Sequence, residues 1–194
     1  FALGFLYQEG KYMKRNIEES IKYYKKASSF NNQYAKNNLG IIYKNYVEKK
    51  YDYTVYFEEA IRPKNDPISM YNLSHAYIYE YKDEKFFDNS FELLIQSSNL
   101  GLEPSTQLLC LIILKRFFNK QTNNNELISI ENIEQELSKF TDETDKLKYS
   151  IISFIQEQQL YDRSIFEYNY QKYEKIEFIY DLLLKPVCIK YLYN

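Results

Sequence analysis

An all-α solenoid of antiparallel helix pairs is the fold this sequence predicts, and three observations predict it. First, Phe1-Ala-Leu-Gly-Phe-Leu-Tyr7 returns as Asn37-Asn-Leu-Gly-Ile-Ile-Tyr43 and as Tyr71-Asn-Leu-Ser-His-Ala-Tyr77, with a weaker copy at Gln107-Leu-Leu-Cys-Leu-Ile-Ile113. The marker leucines Leu3, Leu39, Leu73 and Leu109 stand 36, 34 and 36 residues apart, a period that belongs to helix-pair repeats. Second, a further segment recurs in register behind the first: Ser20-Ile-Lys-Tyr-Tyr-Lys-Lys-Ala27, Tyr53-Thr-Val-Tyr-Phe-Glu-Glu-Ala60 and Ser90-Phe-Glu-Leu-Leu-Ile-Gln-Ser97. Third, Gly and Pro number only 4 each in 194 residues, too few for the turns of a many-stranded sheet.

Each unit then reads as two helices. Leu3 and Tyr7, Leu39 and Tyr43, and Leu73 and Tyr77 are spaced four apart, which puts each pair on one helix face, where it is expected to fill a core. The residue after the leucine is small every time (Gly4, Gly40, Ser74, Cys110), and Ala27, Ala60 and Ser97 supply small residues from the second helix, so the paired helices are expected to cross closely. The predicted helices are 1–9, 17–30, 34–46, 51–61, 67–82, 86–100 and 104–118. Asn16 with Glu19 three residues on has the spacing of a capping box opening the second helix. Asp66 before Pro67 and Glu103 before Pro104 place a proline at the first helical position of the next unit, after Gly101 has closed the preceding helix. Pro63 ends the helix carrying Ala60, which looks about a turn short. The chain opens at Phe1 already within a helix, so it is read as a piece of a longer protein, and any targeting segment upstream is out of view.

The combination Leu-Gly-x-x-Tyr7, Gly10, a capping residue, Ile21-Lys-Tyr-Tyr-Lys-Lys-Ala27 and Ala35 resembles the Sel-one-like repeats, relatives of the tetratricopeptide repeats. The resemblance covers residues 1–118, about 3.5 units, and fades toward the fourth, where Ser74 and Cys110 replace the family glycine. It implies a right-handed superhelix of helix pairs acting as a protein-interaction adaptor or scaffold. By the same resemblance the first helix of each unit lines a concave face. The positions that would look outward there are Phe5, Gln8, Asn37, Ile41, Lys44, Tyr71, His75 and Ile78, a mixture of aromatic, aliphatic and amide groups suited to a peptide with apolar anchors and hydrogen bonds. The groove lacks the basic cluster of relatives that grip a C-terminal carboxylate.

Residues 119–194 no longer show the repeat. Asn119 to Asn125 reads as a loop; helices are expected from Ser129 to Lys139, from Thr141 or Asp142 with Leu147, Ile151, Phe154 and Ile155 on one face, and from Ser164 to Lys185. Pro186 ends the last and leaves a short apolar tail. These helices are either a cap over the final repeat or repeats diverged past recognition.

Composition bounds function by exclusion. The 25 basic and 27 acidic residues are interspersed and give a net charge of −2, without the footprint that nucleic-acid binding requires. The longest strongly apolar stretch, Leu108 to Leu114, is far short of the roughly 20 residues of a membrane span. The 22 Tyr and 13 Phe are read first as the drift of an AT-rich genome. Cys110 and Cys188 sit in apolar surroundings and read as buried, reduced thiols. His75 is the single histidine and occupies a variable repeat slot, so neither a histidine zinc site nor a Ser-His or Cys-His pair is expected. Glu18/Glu19, Glu58/Glu59 and Asp83/Glu84 fall on solvated faces or loops, and the glycosylation pattern at Asn72 lies within a helix and is read as chance.

No metal, cofactor, small-molecule substrate or catalytic residue is expected, and the partner expected is a protein or peptide. The alternative is a structural or regulatory segment of a larger multidomain protein or assembly, such as a kinase-linked repeat array or an ER-associated degradation adaptor. The expected compartment is the cytoplasm, or the ER lumen or another organelle if a targeting segment precedes Phe1.

Overall fold

The computed structural model of the chain describes residues 1–47, 52–81, 84–120 and 152–157. Every regular element among them is helical: α1 Ala2–Glu9, α2 Ile17–Ser29, α3 Gln33–Tyr46, α4 Thr54–Ile61, α5 Pro67–Ala76 continued by a π-turn Tyr77–Tyr81, α6 Glu84–Asn99 and α7 Glu103–Lys120. Consecutive helices from α1 to α5 pack on one another, the order a helix-pair repeat requires. The described residues fall into two compact units, one ending at Ser90 and the other beginning at Phe91. Of the C-terminal helices expected from the sequence, 152–157 is helical with Ile155 buried, and the others lie outside the described residues.

The helices begin and end where local chemistry stops them. Asn16 and Asn32 adopt extended backbone, and their side chains accept from the N–H groups of Glu19 (3.1 Å) and Ala35 (2.8 Å). Gly10 closes α1 in the left-handed region at φ 69°, with its N–H on Leu6 O at 3.0 Å. A Cβ there would stand 2.6 Å from Arg15 Cβ, so glycine is required twice over, by backbone and by space. α4 starts at Thr54 and not at 51, because the Asp52 carboxylate takes both the Thr54 N–H (3.1 Å) and its hydroxyl (2.5 Å). Pro67 opens α5 as the sequence predicts, whereas Glu103 precedes Pro104 inside α7. The end of the predicted helix 67–82 widens into the π-turn, a departure that nothing in the sequence pattern signals.

Asp66 caps α5 from a buried position, accepting from the Ser69 N–H at 2.8 Å and from the Ser69 hydroxyl. Burial pushes its carboxyl above the ordinary range, and the two bonds from Ser69 pull the other way. An acid held high in the folded state contributes most below its unfolded pKa and loses that contribution as pH rises through the folded value. Asp66→Asn keeps a capping oxygen and removes the buried charge. Its urea midpoint at neutral pH should therefore equal or exceed that of the parent, the difference shrinking toward about pH 4, whereas Asp66→Ala should lose about 0.5–2 kcal/mol at either pH. A constant deficit for Asp66→Asn across that range would contradict this.

The small residues after the leucines do let the second helix approach closely, but Gly4 and Gly40 meet aromatic rings there and not the small residues Ala27 and Ala60 that the spacing predicts. A Cβ on Gly4 would lie 2.7 Å from the Tyr24 ring, and one on Gly40 would lie 2.6 Å from the Phe57 ring. Tyr24, Phe57 and Leu94 hold the same place in successive second helices, and all three are fully buried. Ser20 donates to Gly4 O at 2.7 Å, and Ser74 donates to Ser90 O at 3.1 Å, so serine ties the paired helices from either side. In the second unit the Ser97 and Ser105 hydroxyls meet at 2.7 Å where a second helix crosses the next first helix. The tyrosines also repeat: Tyr7 stacks on Tyr23 (centroids 5.6 Å) and Tyr43 on Tyr56 (4.9 Å), while Tyr77 turns instead to Phe86 (4.8 Å). One expectation fails at α1. Leu3 is 47% exposed, unlike the buried Leu39 and Leu73, because no described element covers its side of α1.

Candidate functional site

Burial separates the two kinds of helix. In α2 and α4 the buried residues keep helical spacing, Ser20 and Tyr24 in one, Thr54, Phe57 and Ala60 in the other, which leaves a solvated outer face. In α3 every residue from Asn37 to Tyr43 is buried, and in α5 every residue from Ile68 to Ala76. Successive residues point about 100° apart around a helix, so runs of this length leave no open face.

The eight positions read from the sequence as outward-facing divide accordingly. Gln8, Asn37, Ile41, Tyr71 and His75 are buried; Phe5, Lys44 and Ile78 are half-buried. The structure thus departs from the expectation of solvent-facing side chains at five positions, for two physical reasons. Asn37 is drawn into a hydrogen bond with the neighbouring first helix and Gln8 into one with Tyr24 of α2, and the aromatic positions pack along α5 and its π-turn, with His75 4.6 Å from the Tyr79 ring and 6.1 Å from Tyr71.

The amides belong to a polar chain that sequence reasoning did not assemble. Asn38 Nδ2 donates to the Tyr24 hydroxyl (3.0 Å), which donates to Gln8 Oε1 (2.8 Å), linking α3, α2 and α1. Beside it Asn37 Nδ2 reaches Asn38 Oδ1 at 3.4 Å, and Asn37 Oδ1 accepts from Asn72 Nδ2 at 2.8 Å. The Ser69 hydroxyl lies 3.2 Å from Asn37 Oδ1 and next to Asp66, its one proton serving either acceptor. Gln8, Tyr24, Asn37, Asn38, Asp66, Ser69 and Asn72 are all buried, so a polar thread runs through the interior from α1 to α5. Gln8 Nε2 is buried with no hydrogen-bond partner among the described residues. The only trace of this thread in the sequence is the recurrence of amides at or just before the residue preceding the marker leucine. Asn72, buried and bonded to Asn37, is not presented for glycosylation in the folded chain.

Among the described residues no group of three or more His, Cys, Asp or Glu side chains could hold a metal ion. None of the described helices is long and apolar enough to cross a membrane. Cys110 is a free, fully buried thiol, and burial pushes it far above the ordinary thiol range. It should therefore resist iodoacetamide until the chain is unfolded, as peptide mapping of alkylated protein would show; fast labelling of Cys110 in the native state would contradict its enclosure. Cys188 lies outside the described residues.

No protein-family model matches the chain, and no curated protein matches it. Among solved structures, a Sel1 repeat protein from Oxalobacter formigenes superposes with a TM-score of 0.52 at 17% identity, over 86% of this chain and 70% of that one. At that identity the likeness carries the fold alone, and together with the close helix crossings at Gly4 and Gly40 it supports an all-α array of antiparallel helix pairs similar to that protein's.

Proposed function

We propose that the chain is a non-catalytic scaffold that holds a protein or peptide partner on the face formed by its first helices. The observation that carries this reading is the division of labour between helices. The second helices keep solvated outer faces, while of the first-helix positions expected to face outward Phe5, Lys44 and Ile78 remain half-buried, an aromatic ring, a cation and an aliphatic side chain, with Tyr71 and His75 buried. A polypeptide suits such a face: apolar side chains meet the rings, and backbone amides meet the polar groups between them. The fold shared with a Sel1 repeat protein supports a binding role, and the single histidine leaves little for nucleophilic or metal chemistry. A cytoplasmic setting fits the free thiol of Cys110. Affinity purification of the full chain under mild conditions with chemical crosslinking tests the reading. Recovery of a specific partner is the expected result; recovery of none across independent preparations would sink it.

A further inference from the structure

Two turns that join a second helix to the next first helix, 30–32 and 62–66, stand side by side and border an open cleft. One hollow of about 430 Å³ is lined by Phe30, Tyr34, Pro63 and Lys64, and a second of about 360 Å³ continues it past Asn31 and Pro63, common to both, to Lys36, Glu59 and Arg62. The same device holds both turns. Asn31 and Asn65 take up the left-handed region (φ 59° and 50°), and their N–H groups bond back to Ser28 O and Ile61 O, each at 2.8 Å. Lys36 Nζ reaches Asn31 Oδ1 at 3.0 Å and Glu59 Oε2 at 3.8 Å, which ties the first turn to α4. The walls are thus set before any ligand arrives, and binding needs little further ordering.

The lining says what the cleft can take. Phe30 is 79% exposed, and its open ring beside Tyr34 and Pro63 offers an apolar seat. The charge is one-sided: Lys36, Arg62 and Lys64 face the single carboxylate of Glu59, which Lys36 already engages, in a chain whose net charge is −2. Arg62 and Lys64 are exposed and make no ion pair among the described residues. A cleft so bordered by exposed side chains does not enclose most of a small molecule, as a small-molecule site must. Two unpaired cations are also too few to grip nucleic acid from a chain of negative net charge. A polypeptide that lays one side chain on the ring and sets carboxylates against the cations matches both features.

We propose that the cleft between turns 30–32 and 62–66 is a docking site for an acidic peptide segment, which seats an apolar side chain on Phe30, Tyr34 and Pro63 and pairs its carboxylates with Arg62 and Lys64. None of Phe5, Lys44 and Ile78 lines it, so it is a second contact surface beyond the first-helix face. A partner that reaches both surfaces is held at two places, and two linked contacts bind far more tightly than either alone.

The test uses the full chain and a fluorescein-labelled peptide of sequence Glu-Glu-Phe-Glu-Glu-Phe-Glu, followed by fluorescence anisotropy at low ionic strength. The expected result is saturable binding, weakened about tenfold by Arg62→Glu with Lys64→Glu and about fivefold by Phe30→Ser. Lys11→Glu with Lys14→Glu makes the same change of charge at exposed positions by the opposite end of α2, and should leave the affinity at the parent level. No saturable binding by the parent, equal weakening by the two double variants, or parent affinity in Phe30→Ser would overturn the proposal. So would equal affinity for an all-glutamate peptide or a single-stranded oligonucleotide, since either makes the cleft a seat for any polyanion. A second arm needs no variant: carbodiimide coupling of the same peptide to the parent chain should map to Lys64, and coupling found only at other lysines would equally overturn it. Neither arm requires a cellular partner, so failure here is distinct from failure to recover one by affinity purification.

Discussion

Phe57→Ala is expected to lower the stability of the chain by about 3–5 kcal/mol, read as a shift of the urea midpoint at unchanged slope. Phe57 is fully buried, and its ring fills the space that the absent Cβ of Gly40 leaves open, with ring atoms 2.6–2.9 Å from where that Cβ would be. Removing the ring opens a cavity between α3 and α4 that two helices held at several other points cannot close. The same geometry gives an opposite test. Gly40→Ala in the parent should cost about 1–3 kcal/mol through overpacking, and much less in a Phe57→Leu background, where the ring edge is gone. That non-additivity distinguishes a steric crossing from the helix propensity of alanine, which by itself would favour Gly40→Ala by about 1 kcal/mol. Equal effects of Gly40→Ala in both backgrounds would show that the crossing does not depend on the missing Cβ.

Asn37→Leu should be the most damaging change among the polar residues. It removes the acceptor of Asn72 Nδ2 and the donor to Asn38 Oδ1, both buried. Each group left unpaired in the interior costs about 1–3 kcal/mol, so the loss should exceed that of the same change at an exposed asparagine of the same helix, Asn45, several-fold. Pairing Asn37→Leu with Asn72→Leu should recover part of the loss, because the second change removes the orphaned donor; a double-mutant cycle should return a coupling of about 0.5–3 kcal/mol. Strict additivity would mean that the two amides do not communicate and that the polar thread from α1 to α5 is not one network.

The fold was legible because a helix-pair repeat writes the same packing problem several times in one chain. Gly4, Gly40 and Ser74 stand after their leucines for a reason a single helix could not reveal, and their recurrence marks the first-helix side of each crossing; the other side is Tyr24, Phe57 and Ser90 and not the Ala27, Ala60 and Ser97 expected from the sequence. Caps were legible for the same reason that they work: Asn16, Asp66 and Gly10 act over three or four residues of local chain. What stayed hidden is set by distant parts of the chain. That Asn37 would meet Asn72, 35 residues on, depends on how adjacent first helices are offset, which the repeat period does not encode. The tyrosines, read from composition as genomic drift, prove to stack in matched pairs, Tyr7 on Tyr23 and Tyr43 on Tyr56. For the candidate site, the sequence located its positions on the first helices, but not their burial. Whether Asn37 or Tyr71 meets solvent depends on what lies against the array, and a pattern internal to the repeats carries no information about that.

Partner binding by charge and polarity variants on the two kinds of helix face tests the central claim most directly. Phe5→Asp, Lys44→Glu and Ile78→Asp alter half-buried positions of the first-helix face, while Lys22→Glu and Val55→Asp alter exposed positions on α2 and α4. With helical content unchanged, the first set should lose the partner recovered by the full chain, and the second should retain it at the parent level. Retention by the first set and loss by the second would place the partner on the second helices and contradict the account.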